Sequence, residues 1–151
     1  MADCLFCRIL AGELPGTFVY RDERCAAFMD IQPVNPGHLL VVPVQHAASL
    51  ADLDEATAGY LMQVAHRLVP AVRRSGLWCE GVNLFLADGE AAMQEIFHVH
   101  LHVLPRYRQD GFGLRFGPHY GARPPRTELE RTAALIRAAS SRPARPPTPG
   151  G

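Results

Sequence analysis

The chain has 151 residues, 48% hydrophobic and 20% charged, with 15 basic and 15 acidic side chains. That length describes one globular domain with room for a core, and the neutral balance argues against broad nucleic-acid binding. No apolar run reaches membrane-spanning length, and the N-terminus has no basic region followed by an apolar stretch, so the expected setting is cytoplasmic with no membrane partner.

Leu5, Phe6, Ile9 and Leu10 recur at helical spacing and predict a short opening helix that ends near Gly12. Two short strands follow, Thr17–Tyr20 and Cys25–Met29, around the charged turn Arg21-Asp22-Glu23-Arg24. Pro33-Val34-Asn35-Pro36-Gly37 reads as a rigid connection into a buried strand, His38–Pro43. From Asp54 to Arg74, the residues Ala58, Leu61, Met62, Ala65, Leu68, Val69 and Val72 make one helical face. Pro70 should kink that helix or shift its last turn, and Ser75-Gly76 ends it. Val82–Leu86 is a strand, Ala87–Ala92 a turn, and Ile96–Pro105 a last strand. After the loop Gly111–Pro125, Thr127 is expected to cap a final helix with Leu129, Ala133, Leu135, Ile136 and Ala139 at its apolar positions.

Residues 141–151 are rich in Pro, Gly and Ser and read as a disordered tail. The expected organisation is therefore one α+β domain with a C-terminal helical extension over residues 1–140, its sheet a largely antiparallel meander covered by helices.

The last strand carries His98-Val99-His100-Leu101-His102-Val103-Leu104. In an extended chain the three imidazoles share one face and Val99, Leu101 and Val103 the other. Imidazole serves as nucleophile, proton carrier or metal ligand near neutral pH, and each buried imidazole needs its own hydrogen-bonding partner. Three on one face, backed by an aliphatic face, read as a site mounted on a core strand. All 15 basic residues are arginine, which removes lysine from the candidate nucleophiles. Of the four cysteines, Cys25 and Cys79 read as packing residues, and Cys4-x-x-Cys7 calls for an explanation other than a disulfide framework.

The pattern His-φ-His-φ-His-φ-φ, with φ apolar, resembles the signature of the histidine triad (HIT) superfamily. The resemblance extends upstream through Phe28-Met29-Asp30-Ile31-Gln32-Pro33, Pro36-Gly37-His38 and Val41-Val42-Pro43, in matching order from Cys4 to Arg106. It implies a HIT-like five-stranded, mainly antiparallel sheet with a long helix, a short N-terminal helix and a C-terminal helix. It also implies a homodimer and an enzyme or binder acting at the α-phosphate of a nucleotide, adenine nucleotides favoured.

By that resemblance His100 attacks phosphorus and forms a nucleotidyl-imidazole that water resolves, a single displacement split into two. His102 steadies the phosphoryl or leaving oxygen as charge develops, and Gln94 hydrogen-bonds the scissile bridge or the α-phosphate. Asp30 would hold the ribose hydroxyls, a cis-diol suiting a carboxylate. Phe6, Ile9, Phe28, Ile31 and Leu40 are candidates for the base pocket, each of which could equally be plain core. His38 would line the same pocket or orient the catalytic network, and Asn83 would contact phosphate or brace its strand.

The resemblance also places His46 in line with Cys4 and Cys7, and His98 as a fourth ligand of a structural zinc site. The residues alone leave open that the two cysteines pack as small hydrophobes. No organic cofactor is implied. The chain departs from many relatives at Met93, where glycine precedes the glutamine, at Ala87 and at Glu95. These departures point away from the phosphoramidases, and the turn Asp88-Gly89-Glu90-Ala91 with Pro36-Gly37-His38 resembles the dinucleoside-polyphosphate hydrolases more closely. The competing readings are a nucleotidyltransferase or phosphorylase, and a non-catalytic nucleotide- or zinc-dependent interaction protein. His102 stands where the galactose-phosphate type of transferase carries glutamine, which favours hydrolysis.

Overall fold

A computed structural model describes residues 4–140. The expected tail at 141–151 lies outside these residues. Five strands, β1 (Phe18–Arg21), β2 (Cys25–Met29), β3 (Leu39–Pro43), β4 (Gly81–Leu86) and β5 (Leu101–Arg106), form one sheet. Every pairing is antiparallel, and the strand order is β1-β2-β3-β5-β4. The sheet is α+β with five antiparallel strands, as the sequence predicts, but it is not a plain meander. The long connection after β3 carries the chain to the far edge, and β5 returns between β3 and β4.

The period-two pattern of β2, β3 and β5 sorts side chains cleanly onto two faces. Cys25, Ala27, Leu39, Val41, Val99, Leu101 and Val103 pack against Leu61, Val64, Ala65 and Val72 of the long helix α2 (Glu55–Arg74). Ala26, Phe28, Leu40 and Val42 pack against Phe6, Ile9 and Leu10 of the short helix α1 (Leu5–Leu10). The face of α2 is turned relative to the expectation: Val64 is fully buried and Met62 is half-exposed. A stripe at 61, 64, 65, 68 and 72 keeps the 3.6-residue period better than one through 62.

Local chemistry fixes the ends of α2. The Asp54 carboxylate caps its start by accepting from the Thr57 amide at 2.9 Å. Gly76, at φ +84°, turns the chain left-handed after the last turn. Pro70 lies inside the helix without ending it. Close to this end of α2, Gly37, at φ +91°, makes the left-handed turn before β3 that favours glycine, and a Cβ there would press on Leu77 Cδ1, the movable tip of a side chain, at 2.8 Å.

The histidine strand starts later than expected. β5 begins at Leu101, so His98, in a bend, and His100 lie on a lead-in segment and His102 alone is within the strand. The lead-in keeps the alternation because Val99 donates its amide to the carbonyl of Ala47 at 2.8 Å, outside the sheet ladder.

A second unit begins at Gly113. Its helix α3 (Arg126–Ser140) starts at Arg126, so Thr127 lies within the helix and is not its cap. The carbonyl of Pro125 accepts from the amides of Glu128 and Leu129 in its first turn. Leu129, Leu135 and Ile136, at the expected apolar positions of this helix, are exposed.

Candidate active site and metal centre

The lead-in and β5 place the three imidazoles in three different settings. His98 is fully buried. Its Nε2 lies 2.9 Å from the carbonyl oxygen of Pro43, the last residue of β3, and therefore carries the proton. Its Nδ1 is left as a lone pair facing sulfur: Cys4 Sγ is 3.4 Å away and Cys7 Sγ 3.6 Å. His46 Nδ1 is 3.4 Å from Cys7 Sγ. The four ligand atoms all lie within 4.8 Å of one another.

Two sulfurs and two nitrogens converging this way test well against a tetrahedral ion. Zn–S of about 2.3 Å and Zn–N of about 2.05 Å imply an S···N edge of about 3.6 Å. The observed edges of 3.4, 3.4 and 3.6 Å match it. Burial lowers the His98 pKa, which keeps the imidazole neutral as a ligand must be.

His100 is 6% exposed and lies edge-on to the ring of Phe6, centroids 5.3 Å apart. Its Nδ1 donates to the carbonyl oxygen of His98 at 2.7 Å. With the proton on Nδ1, Nε2 carries a free lone pair.

His102 pairs with His38, whose Nε2 is 2.8 Å from His102 Nδ1. Behind His38, Asp30 Oδ2 stands 3.5 Å from Nδ1, and the Val34 amide points to the same nitrogen at 3.3 Å. Asp30, His38 and His102 also converge closely enough to be considered for a metal. Two imidazole nitrogens on one tetrahedral ion would be about 3.3 Å apart, however, so the 2.8 Å contact is a hydrogen bond. Burial, then the neighbouring His100 and His38, push the His102 pKa down to about 4. Burial also lowers that of His38, partly offset by Asp30.

The remaining expected residues divide. Phe6, Ile9, Phe28 and Leu40 are core, interlocked beneath the site, with Phe6 also touching the ring of His98. Ile31, by contrast, is 89% exposed. Gln94 is buried, and its amide nitrogen donates to the carbonyls of Ala48 and Ile96 while its oxygen accepts from the Gly89 amide. Both amide hydrogens are spent within the chain, so in this conformation Gln94 braces the loop and is not a donor to phosphate. Asn83 is exposed on the edge strand β4, and its oxygen accepts from Arg106. No hydrogen bond brings it to the histidine cluster. Met93, the residue at the departure from glycine, adopts the left-handed conformation at φ +68°, with its side chain exposed. The side chain stands where glycine would be free of strain.

Sequence reading missed Phe85, whose ring lies 5.6 Å from that of His102, because only the β4–β5 register pairs them. It also missed the bracket of Asn35, which donates to the Pro105 carbonyl and to Asp110, itself held by Arg106. The polar pair at 106 and 110 gave no periodic signal.

The sheet order, the triad and its flanking loops define the class. The HIT domain family model matches residues 11–109, and the chain belongs to the HIT family. A HIT-like protein of Borreliella burgdorferi is 41% identical over 119 residues, 78% of this chain and 85% of its own. The adenosine 5′-monophosphoramidase of Saccharomyces cerevisiae is 34% identical, covering 77% of this chain and 70% of its own. An adenylylsulfatase of Arabidopsis thaliana is 32% identical, covering 72% and 54%. Among solved structures, a HIT-family protein of Bacillus subtilis superposes with TM-score 0.81 at 33% identity, covering 95% of this chain and 99% of its own. A zinc-bound histidine triad protein of Mycobacterium smegmatis gives TM-score 0.71 at 37% identity, covering 93% and 99%.

Proposed function

We propose that this protein is a nucleotide hydrolase that works at the α-phosphate through a covalent nucleotidyl-His100 intermediate. Its substrates are dinucleoside polyphosphates or nucleoside 5′-phosphoramidates, and it releases a nucleoside monophosphate. The observation that carries the reading is the free Nε2 of a nearly buried His100, whose other nitrogen is tied to the His98 carbonyl. Neutral imidazole held in that tautomer is a nucleophile without deprotonation. The names of the yeast and Arabidopsis relatives both point to an adenosine 5′-phosphoryl group, which supports an adenine nucleotide as substrate.

In this reading His100 Nε2 bonds to phosphorus as the leaving group departs with its electron pair. His102, 4.9 Å from His100 between ring centroids, serves the leaving atom. Water then displaces His100. Asp30 holds the ribose hydroxyls, exposed Ile31 offers apolar surface to the base, and Gln94 acts by bracing the loop at 89–96.

Cys4, Cys7, His46 and His98 would hold a structural zinc ion, supported by the edge lengths and by the zinc-bound relative. The ion would cross-link α1 to the lead-in that carries His100. The expected homodimer fits β4, an edge strand with Leu84 40% exposed.

The test is incubation of the purified protein with diadenosine polyphosphates, adenosine 5′-phosphoramidate and sugar nucleotides, with and without added phosphate. Release of AMP, abolished by His100→Ala, is expected. Nucleotide binding without turnover of any member would overturn the reading in favour of a binding protein. Phosphorolysis in place of hydrolysis would make it a transferase.

A further inference from the structure

Asp30 has a position that holding ribose does not require. It stands at the end of β2, and one carboxylate oxygen, Oδ2, faces the ring of His38, while the other, Oδ1, accepts the Gln32 amide at 2.8 Å. His38 in turn faces His102, so carboxylate, imidazole and imidazole form one chain of contacts that ends on the His102 ring. Nδ1 of His38 has two competing neighbours: the Val34 amide, which donates to a lone pair, and the Asp30 carboxylate, which accepts a proton.

We propose that Asp30 is the counter-charge of the His38–His102 pair, and that this lets His102 act as the acid of the first step and the base of the second. The inference rests on the hydrolase reading above. In the acid form the two rings share three protons and one positive charge, with His38 Nδ1–H turned to Asp30 and His102 Nε2–H to the leaving atom. As the bond from His100 Nε2 to phosphorus forms and the bond to the leaving group breaks, the electron pair goes to the leaving atom. That atom takes the proton from His102 Nε2, and the pair becomes neutral. In the second step water bonds to phosphorus, the N–P pair returns to His100 Nε2, and the water proton goes to His102 Nε2. One proton leaves and one returns.

The surroundings make a counter-charge necessary. Burial disfavours a charge on either ring, the nearby His100 disfavours it further, and Asp30 alone pulls the other way. The groups that bear electrostatically on the pair are therefore Asp30, His38, His100 and His102, with Phe85 as an apolar wall.

Asp30→Asn keeps size and hydroxyl-binding capacity but removes the charge. If Asp30 only holds ribose, the variant changes KM and leaves the pH profile of kcat in place. As counter-charge, its loss moves the alkaline limb of kcat to lower pH by about one unit or more. The same shift is expected with a 2′,3′-dideoxynucleoside substrate, which cannot use the ribose contact. A second readout needs no turnover: imidazole titration by NMR in the free protein, where Asp30→Asn lowers the His38 and His102 midpoints relative to wild type. Unmoved midpoints, or a KM effect with an unmoved limb, overturn the proposal. Wild type that titrates as described but hydrolyses no nucleotide overturns the hydrolase reading and leaves the counter-charge standing.

Discussion

His100 Nδ1 lies 2.7 Å from the carbonyl oxygen of His98, so the first triad residue sets the tautomer of the second through its backbone. The side chain of His98 is free for another task, and it faces Cys4 and Cys7. Two consecutive odd positions of one motif thus divide structural and chemical work between them.

Removal of the His100 imidazole should remove turnover and little else. His100→Asn is expected to lower kcat by about 10⁴-fold or more while nucleotide affinity stays within a few-fold of wild type. Single-turnover kinetics with equilibrium binding separate the two. Turnover near the wild-type rate would eliminate a covalent step.

Zinc content follows from the edges between sulfur and nitrogen. Elemental analysis of purified protein is expected to find one zinc per chain, lost in Cys7→Ser. Chelation should lower Tm by several degrees and slow turnover in parallel, because His98 positions the carbonyl that orients His100. Protein that purifies free of zinc and gains no stability when zinc is added would contradict the metal assignment.

Gln94→Ala deletes three hydrogen bonds and strands the Gly89 amide and the Ala48 carbonyl, while the Ile96 carbonyl keeps the His98 amide. A loss of about 2–3 kcal/mol is expected in urea denaturation. Hydrogen exchange should localise the new mobility to residues 89–96.

Acidification should destabilise the metal-free fold. His38 and His102 have folded pKa values below the ordinary 6.5, His102 at about 4, because burial penalises their charged forms. The unfolded chain then binds more protons between about pH 6.5 and pH 4, so stability is flat above that window and falls as pH drops through it. Denaturant midpoints at pH 7.5, 6 and 5 measure this. A midpoint that rises on acidification would contradict the sign.

Asp22 offers a contrast at a distance from the chemistry. Its carboxylate accepts from the hydroxyls of Tyr20 and Tyr60 and the amides of Arg24 and Cys25, tying the β1–β2 turn to α2. Asp22→Ala is expected to lower stability by about 1–3 kcal/mol with kcat unchanged. Equal losses in both would mean that the turn communicates with the site.

The sequence made the elements legible because their periods are strong. The stripe of α2 and the alternation from Val99 to Val103 appear in one dimension, and so does the proline-glycine punctuation before β3. Register and strand order were not legible, since nothing local says that β5 inserts beside β3. The pairings of His38 with His102 and of Phe85 with His102 depend on that insertion. Gln94 illustrates the other limit. Its residue type fits a contact with phosphate, and only its burial reveals that both amide hydrogens are already used.

The position of β5 between β3 and β4 has a kinetic consequence. His38 and His102 are 64 residues apart, and Cys4 and His98 are 94 apart. Long loops must close before either contact forms, which places both among the late events of folding. Intermediates with α2 and the first hairpin in place would bury much of their apolar surface and still hold no site. In a refolding experiment, secondary structure should therefore return ahead of nucleotide binding.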